Sequence, residues 1–180
     1  EHYDTEPIKQ KWNGIAQHIA SVVLNQTDVI VLSTMSSFEA VSIYSVYHMV
    51  LYGIKQIVIS ASGGIQSLLG ELIARDERQE LSKVFEYTEW IAHAIVVFLF
   101  GCTSVLIMPF VMVYTKGVND TNYIVPAFCY LITIANGAHC LRLPYNILIL
   151  AAGHYRQTQS NYIISALINI IVSVATVKLW

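Results

Sequence analysis

Five apolar runs, broken by short polar stretches, set the pattern of this chain: Asn13–Ser36, Val41–Ala74, Trp90–Thr115, Ile124–Ala152 and Tyr162–Trp180, designated segments A to E. Each approaches or exceeds the ~20 residues that carry an α-helix across about 30 Å of hydrocarbon. Inside them the apolar positions run on without the charged face of a soluble amphipathic helix. The runs are also too long and too unalternated for barrel strands. The pattern predicts an all-α, polytopic helical membrane protein, with five transmembrane helices in residues 13–180 behind a cytoplasmic or interfacial arm over 1–12.

Composition agrees. The chain is 55% hydrophobic and 12% charged, with a mean hydropathy of +0.54, and that charge content is roughly half the usual share. A net charge of −2 without any basic aromatic patch gives no reason to expect a nucleic-acid partner. Cys102, Cys129 and Cys140 all lie within apolar runs, with neither a CxxC pair nor a His–Cys spacing suited to zinc, so no metal or cofactor is implied. The chain opens on Glu1 with no initiator Met and no signal-peptide pattern. With an odd number of spans, it is expected to be a fragment with helices on both sides.

Basic residues give orientation. Lys9, Lys11, Arg75, Arg78, Lys83 and Arg156 flank the segments on one side, against Lys116 and Lys178 on the other. The positive-inside rule then puts the arm, the B–C loop and the D–E loop in the cytoplasm. Arg75–Glu89 mixes charges with Leu81, Val84, Phe85 and Tyr87, as a short interfacial helix or a solvated linker would. Trp12, Trp90, Trp180, Tyr123 and Tyr162 stand near run ends, where amphipathic rings anchor at headgroups. Segment B is about 51 Å long as a helix, so it must tilt, bend or protrude. Its Gly63–Gly64 pair is the expected flexing point, with Ser60 and Gly64 as a small-residue contact surface. In D, Pro144 has no N–H for the carbonyl of Cys140, which predicts a kink.

Polar residues recur at three- and four-residue steps within four of the segments. They are Gln17 or His18, Ser21, Asn25 and Asp28 in A; Tyr44, His48, Tyr52, Lys55 and Gln56, then Ser62 and Gln66, in B. Segment D carries Thr133, Asn136, His139, Arg142 and Asn146, and E carries Asn161, Ser165, Asn169, Ser173 and Thr176. One face of each is wet or paired. Segment C has only Cys102, Thr103 and Ser104, which marks it as an outer, lipid-facing scaffold helix. Hydroxyl and amide stripes also serve as interhelical hydrogen bonds, worth about 0.6 kcal/mol each in membranes. His18, His48, His93 and His139 fit packed or hydrogen-bonded roles, with no metal spacing among them.

Ionised groups constrain the reading further. Facing lipid at mid-membrane costs such a group at least ~2.5–3.5 kcal/mol, so Asp28, Lys55 and Arg142 should face a cavity or one another. Either Asp28 forms a buried pair with Lys55 or Arg142, or the three line a substrate and ion pathway. At about 1.5 Å per residue, Lys55 and Arg142 both fall in the inner half and Asp28 toward the outer half. Two cations in a cytoplasm-open cavity would attract phosphate, Arg142 as a bidentate fork and Lys55 as a compact charge. Snorkelling to inner headgroups is the competing account of Arg142. No GxSxG, HExxH, P-loop or paired acidic motif occurs, so no catalytic residue is assigned and a transporter is expected rather than an enzyme.

Four stretches, VVLNQTDVIVLS (Val22–Ser33), AVSIYSVYHMV (Ala40–Val50), SLLGELIARDERQELSKVF (Ser67–Phe85) and LRLPYNILILAAGHYRQTQ (Leu141–Gln159), resemble bacterial polysaccharide transporters. These are the O-antigen and capsule lipid-linked oligosaccharide flippases of the multidrug/oligosaccharidyl-lipid/polysaccharide exporter superfamily. The resemblance implies two six-helix lobes around a central cavity in the bacterial inner membrane, with A to E as the seventh to eleventh helices. It implies alternating access that moves undecaprenyl-pyrophosphate-linked oligosaccharide to the outer leaflet, driven by H+ or Na+. Lys55, Arg142, Gln56, Tyr52, Asn136 and Asn146 would contact substrate, and Asp28 with Asn25 the coupling ion. Glu71 follows Gly70 where Asn would be expected, a departure from the family's texture. A multidrug or cation antiporter on the same scaffold would use Asp28 and Tyr52, but two cations in the same region disfavour it. A membrane glycan polymerase or ligase would need a large reactive loop, and the longest loop here is Arg75–Glu89.

Overall fold

A computed structural model describes residues 6–153 and 155–179, with side chains described for 15, 18–19, 22–23, 26–153 and 160–175. These residues form six helices and no strand: α1 (Glu6–Met35), α2 (Phe38–Ala74), α3 (Arg78–Tyr114), α4 (Pro126–Leu141), α5 (Leu143–Ala151) and α6 (Tyr155–Leu179). The all-α expectation holds, and α2 and α3 are each long and apolar enough to cross a membrane. The chain divides into two compact units, Glu1–Val41 with Gly153–Trp180, and Ser42–Ala152.

In the first unit α1 packs along α6, with Thr27 and Val31 of α1 and Ala166 of α6 buried. Ser37 begins α2, its hydroxyl accepting the Ala40 N–H at 3.3 Å and so satisfying one of the helix's orphan donors.

The second unit starts from a helical hairpin. Three bonds finish α2: Arg75 N–H to the Glu71 carbonyl, Asp76 N–H to Ile73 and Glu77 N–H to Leu72. The last two make the crossed pair of a Schellman cap, with Asp76 at φ 54° in the left-handed position that glycine usually fills. The chain turns within three residues and re-enters helix at Arg78. The interfacial helix or linker expected over Arg75–Glu89 is thus corrected to a tight turn plus the first turns of α3. No Gly or Pro interrupts Arg78–Glu89, and the Glu80–Lys83 pair at 3.0 Å supports the first turn.

Returning from the turn, α3 buries Val96, Phe100, Thr103, Ile107 and Val111 at three- and four-residue steps. Val96, Phe100, Ile107 and Val111 share a core with Tyr47, Leu51 and Val58 of α2 and Cys129 and Cys140 of α4. Segment C is therefore a central packing element, contacting α4 and α5, and only its other face, with Val97, Phe98, Val105, Leu106 and Val113, is exposed. An exposed apolar face on a helix without a polar stripe fits the outer scaffold expected of segment C, whose opposite face is core.

Segment D is two helices. Arg142 sits between them, its N–H reaching back to the His139 carbonyl at 3.3 Å in a tightened last turn of α4. Pro144, buried in the first turn of α5, has no N–H to offer the Cys140 carbonyl. The disruption predicted at Pro144 is found two residues earlier, at Arg142, the single residue between the two helical spans, with φ −82° and ψ −12°.

Candidate functional site

Within the second unit α2 and α4 lie side by side and run the same way. At one end Tyr47 meets Phe128 edge-on, with ring centroids 5.5 Å apart, and Tyr44 lies 6.3 Å from the same ring. About three turns further along both helices, the charge of Lys55 bears on His139 and Cys140. Arg142, at the end of α4, acts on His139 as well. Lys55 and Arg142 therefore both lie near His139, a basic cluster whose charge comes from the two cations, where α2 passes the α4–α5 junction. Lys55 is half-buried and Arg142 exposed.

Neither cation is ion-paired to a carboxylate of its unit, although the Glu89 carboxylate accepts from the Tyr145 hydroxyl one turn beyond Arg142. Among the described residues of the unit the ion pairs are Glu71–Arg75, Asp76–Arg78 and Glu80–Lys83, all at or beside the hairpin turn. A cation pair without a counter-ion, on apolar helices, is an anion-attracting arrangement.

Between the two ends runs an aromatic column on α2. Tyr44 and His48 stack at 5.3 Å with planes 16° apart, and His48 and Tyr52 at 5.8 Å with planes 27° apart. Tyr52, the last ring, is 49% exposed, and Lys55 and Gln56 follow on the next turn, both half-buried. Opposite, Asn136 shares the α4 face of Phe128 and His139. Its amide nitrogen donates to the Ile132 carbonyl at 2.9 Å, leaving the second N–H and the amide oxygen uncommitted by that bond.

Of the expected substrate residues, Lys55 and Arg142 both act on His139, Tyr52 and Gln56 neighbour Lys55 along α2, and Asn136 lies one turn before His139 on α4. Asn146 lies one turn into α5, half-buried. Asp28 belongs to the first unit, half-buried on α1. Asn25 is also on α1, but its side chain is outside the described residues, as are those of Lys9, Lys11, Trp12, Gln17, Ser21, Arg156, Thr176, Lys178 and Trp180. The sequence reading missed His139 as a partner of the two cations. It named Tyr52 as a substrate contact but missed its stacking on His48 and Tyr44, although their four-residue spacing is the signal for stacked rings.

The hydroxyl stripes behave differently from interhelical glue. Thr27 donates to Val23 at 2.6 Å, Ser62 to Val58 at 2.8 Å, Thr103 to Leu99 at 2.6 Å and Thr133 to Cys129 at 2.7 Å, each to the carbonyl one turn back. Such bonds satisfy a hydroxyl in apolar surroundings without a neighbouring helix. On α6, Asn169 keeps its amide oxygen buried without a hydrogen-bond partner among the described residues. No family model, characterised protein or solved structure matches this chain.

Proposed function

We propose that the chain is part of a multi-pass transporter of the bacterial inner membrane that flips undecaprenyl-pyrophosphate-linked oligosaccharide by alternating access, with H+ or Na+ as coupling ion. The observation that carries this reading is the basic cluster of Lys55 and Arg142 near His139, beside the α4–α5 junction, with no carboxylate of its unit ion-paired to either cation. A pyrophosphate brings the negative charge such a cluster lacks, and Arg142 can hold it through two parallel N–H···O bonds while Lys55 adds a point charge.

The membrane reading rests on the two long apolar helices and on direction. The short turn at Asp76 sends α3 back along α2, and α4 again runs with α2, as successive membrane crossings must. An antiporter of organic cations is disfavoured, because a positive cluster repels its substrate.

In the mechanism, the cluster faces the cytoplasm first and draws in the lipid-linked pyrophosphate. Rocking of the helices then presents it to the other side, and Asp28 with Asn25 carries the ion that resets the cycle. Complementation of a strain lacking surface-polysaccharide export tests this. Full-length protein carrying Lys55→Ala together with Arg142→Ala is expected to lose export while still reaching the membrane. Unimpaired export by that double variant refutes the charge role.

A further inference from the structure

Tyr52 sits where a second ligand group would fall if the basic cluster holds a phosphate. One helical turn separates it from Lys55, an axial step of about 4.5 Å, close to the spacing between a sugar ring and the phosphate bonded to its anomeric carbon. Tyr44 and His48 stack in sequence behind its ring, at 5.3 Å and 5.8 Å, and so fix its plane. Phe128 of α4 lies against the far end of that column. The result is a half-exposed aromatic face, held in orientation, at the head of a cationic site.

Aromatic faces carry negative charge density and attract polarised C–H groups. The axial C–H bonds on one side of a pyranose make such a surface, while its hydroxyls point outward around the rim. Gln56, half-buried on the next turn of α2, is a polar group within reach of such hydroxyls. We infer that Tyr52 is a saccharide platform that stacks on the first sugar of a pyrophosphate-linked glycan, with Tyr44 and His48 as positioning residues. This rests on the flippase reading and narrows it: the site recognises the lipid carrier only when it bears a sugar.

Full-length protein purified in detergent is titrated with two probes, undecaprenyl pyrophosphate and undecaprenyl-pyrophosphoryl-N-acetylglucosamine. Wild type is expected to bind the sugar-bearing probe roughly five- to tenfold more tightly, the range of one aromatic contact. Tyr52→Leu, which keeps apolar bulk without the ring, should remove that preference and still bind the bare carrier; Tyr52→Phe should keep it. Lys55→Gln should weaken both probes together. If Tyr52→Leu retains the full preference, the platform is refuted and the flippase reading stands. If wild type binds neither probe, both fall.

Discussion

The hydroxyl of Tyr47 donates to the backbone carbonyl of Tyr123 at 2.8 Å, fastening the connection between α3 and α4 to the early turns of α2. Tyr47 is fully buried, with the Met108 sulfur 3.6 Å from its oxygen and Phe128 edge-on to its ring. The fastened segment is itself braced, since the Tyr123 hydroxyl donates to Asp120 at 3.1 Å. Burial and that carboxylate together push the Tyr123 phenol above its ordinary titration range. Tyr47→Phe keeps the ring contacts but strands a buried carbonyl. The expected cost is about 1–2 kcal/mol, seen as a lower unfolding midpoint in detergent and faster proteolysis between Lys116 and Val125.

At Gly137, α4 packs against the Phe100 side chain of α3. A Cβ built there would stand 3.4 Å from Cγ of Phe100, an ordinary contact. Gly137→Ala should therefore fold normally and gain up to about 1 kcal/mol from helix propensity. Gly137→Leu has no room against the ring and should lower the thermal midpoint sharply. Parallel melting curves of the two variants check this.

Asp76 holds a left-handed conformation at φ 54°. Glycine accepts that geometry without strain, whereas a β-branched residue does not. Asp76→Gly should be neutral or slightly stabilising despite losing the exposed contact to Arg78. Asp76→Val should destabilise by about 1–2 kcal/mol, measured by denaturant or thermal unfolding.

α5 is fastened to α3 through Tyr145, whose hydroxyl donates to the Glu89 carboxylate and whose ring meets Phe85 edge-on at 5.7 Å. Tyr145→Phe should cost about 1 kcal/mol, because the ring contact survives. Tyr145→Ala removes both and should cost more. Thermal shifts of the two variants separate the hydrogen bond from the packing.

The apolar runs made the helices legible, because run length and missing alternation depend only on local composition. Their ends were not. Leu81, Val84 and Phe85 look alike as an interfacial segment and as the opening of α3, and the cap at Asp76 that decides between them uses a residue without the glycine signature. Pro144 announced a disruption of D, but where the helix gives way depends on the bonds left to Arg142 and Cys140. For the site, Lys55 and Arg142 were visible as costly charges in apolar sequence. That both bear on His139 follows from α2 and α4 running in parallel, a tertiary relationship that periodicity within one helix does not contain.

The central claim is that Lys55 and Arg142 border water rather than lipid. Cysteine substitution at Lys55 tests it most directly, in a background where Cys102, Cys129 and Cys140 are replaced by serine. A membrane-impermeant thiol reagent is applied to inside-out vesicles, with Phe98→Cys on the exposed apolar face of α3 as the lipid-facing reference. Rapid labelling at 55 alongside an inert position 98 is the predicted result. Equal protection of both positions would contradict the account.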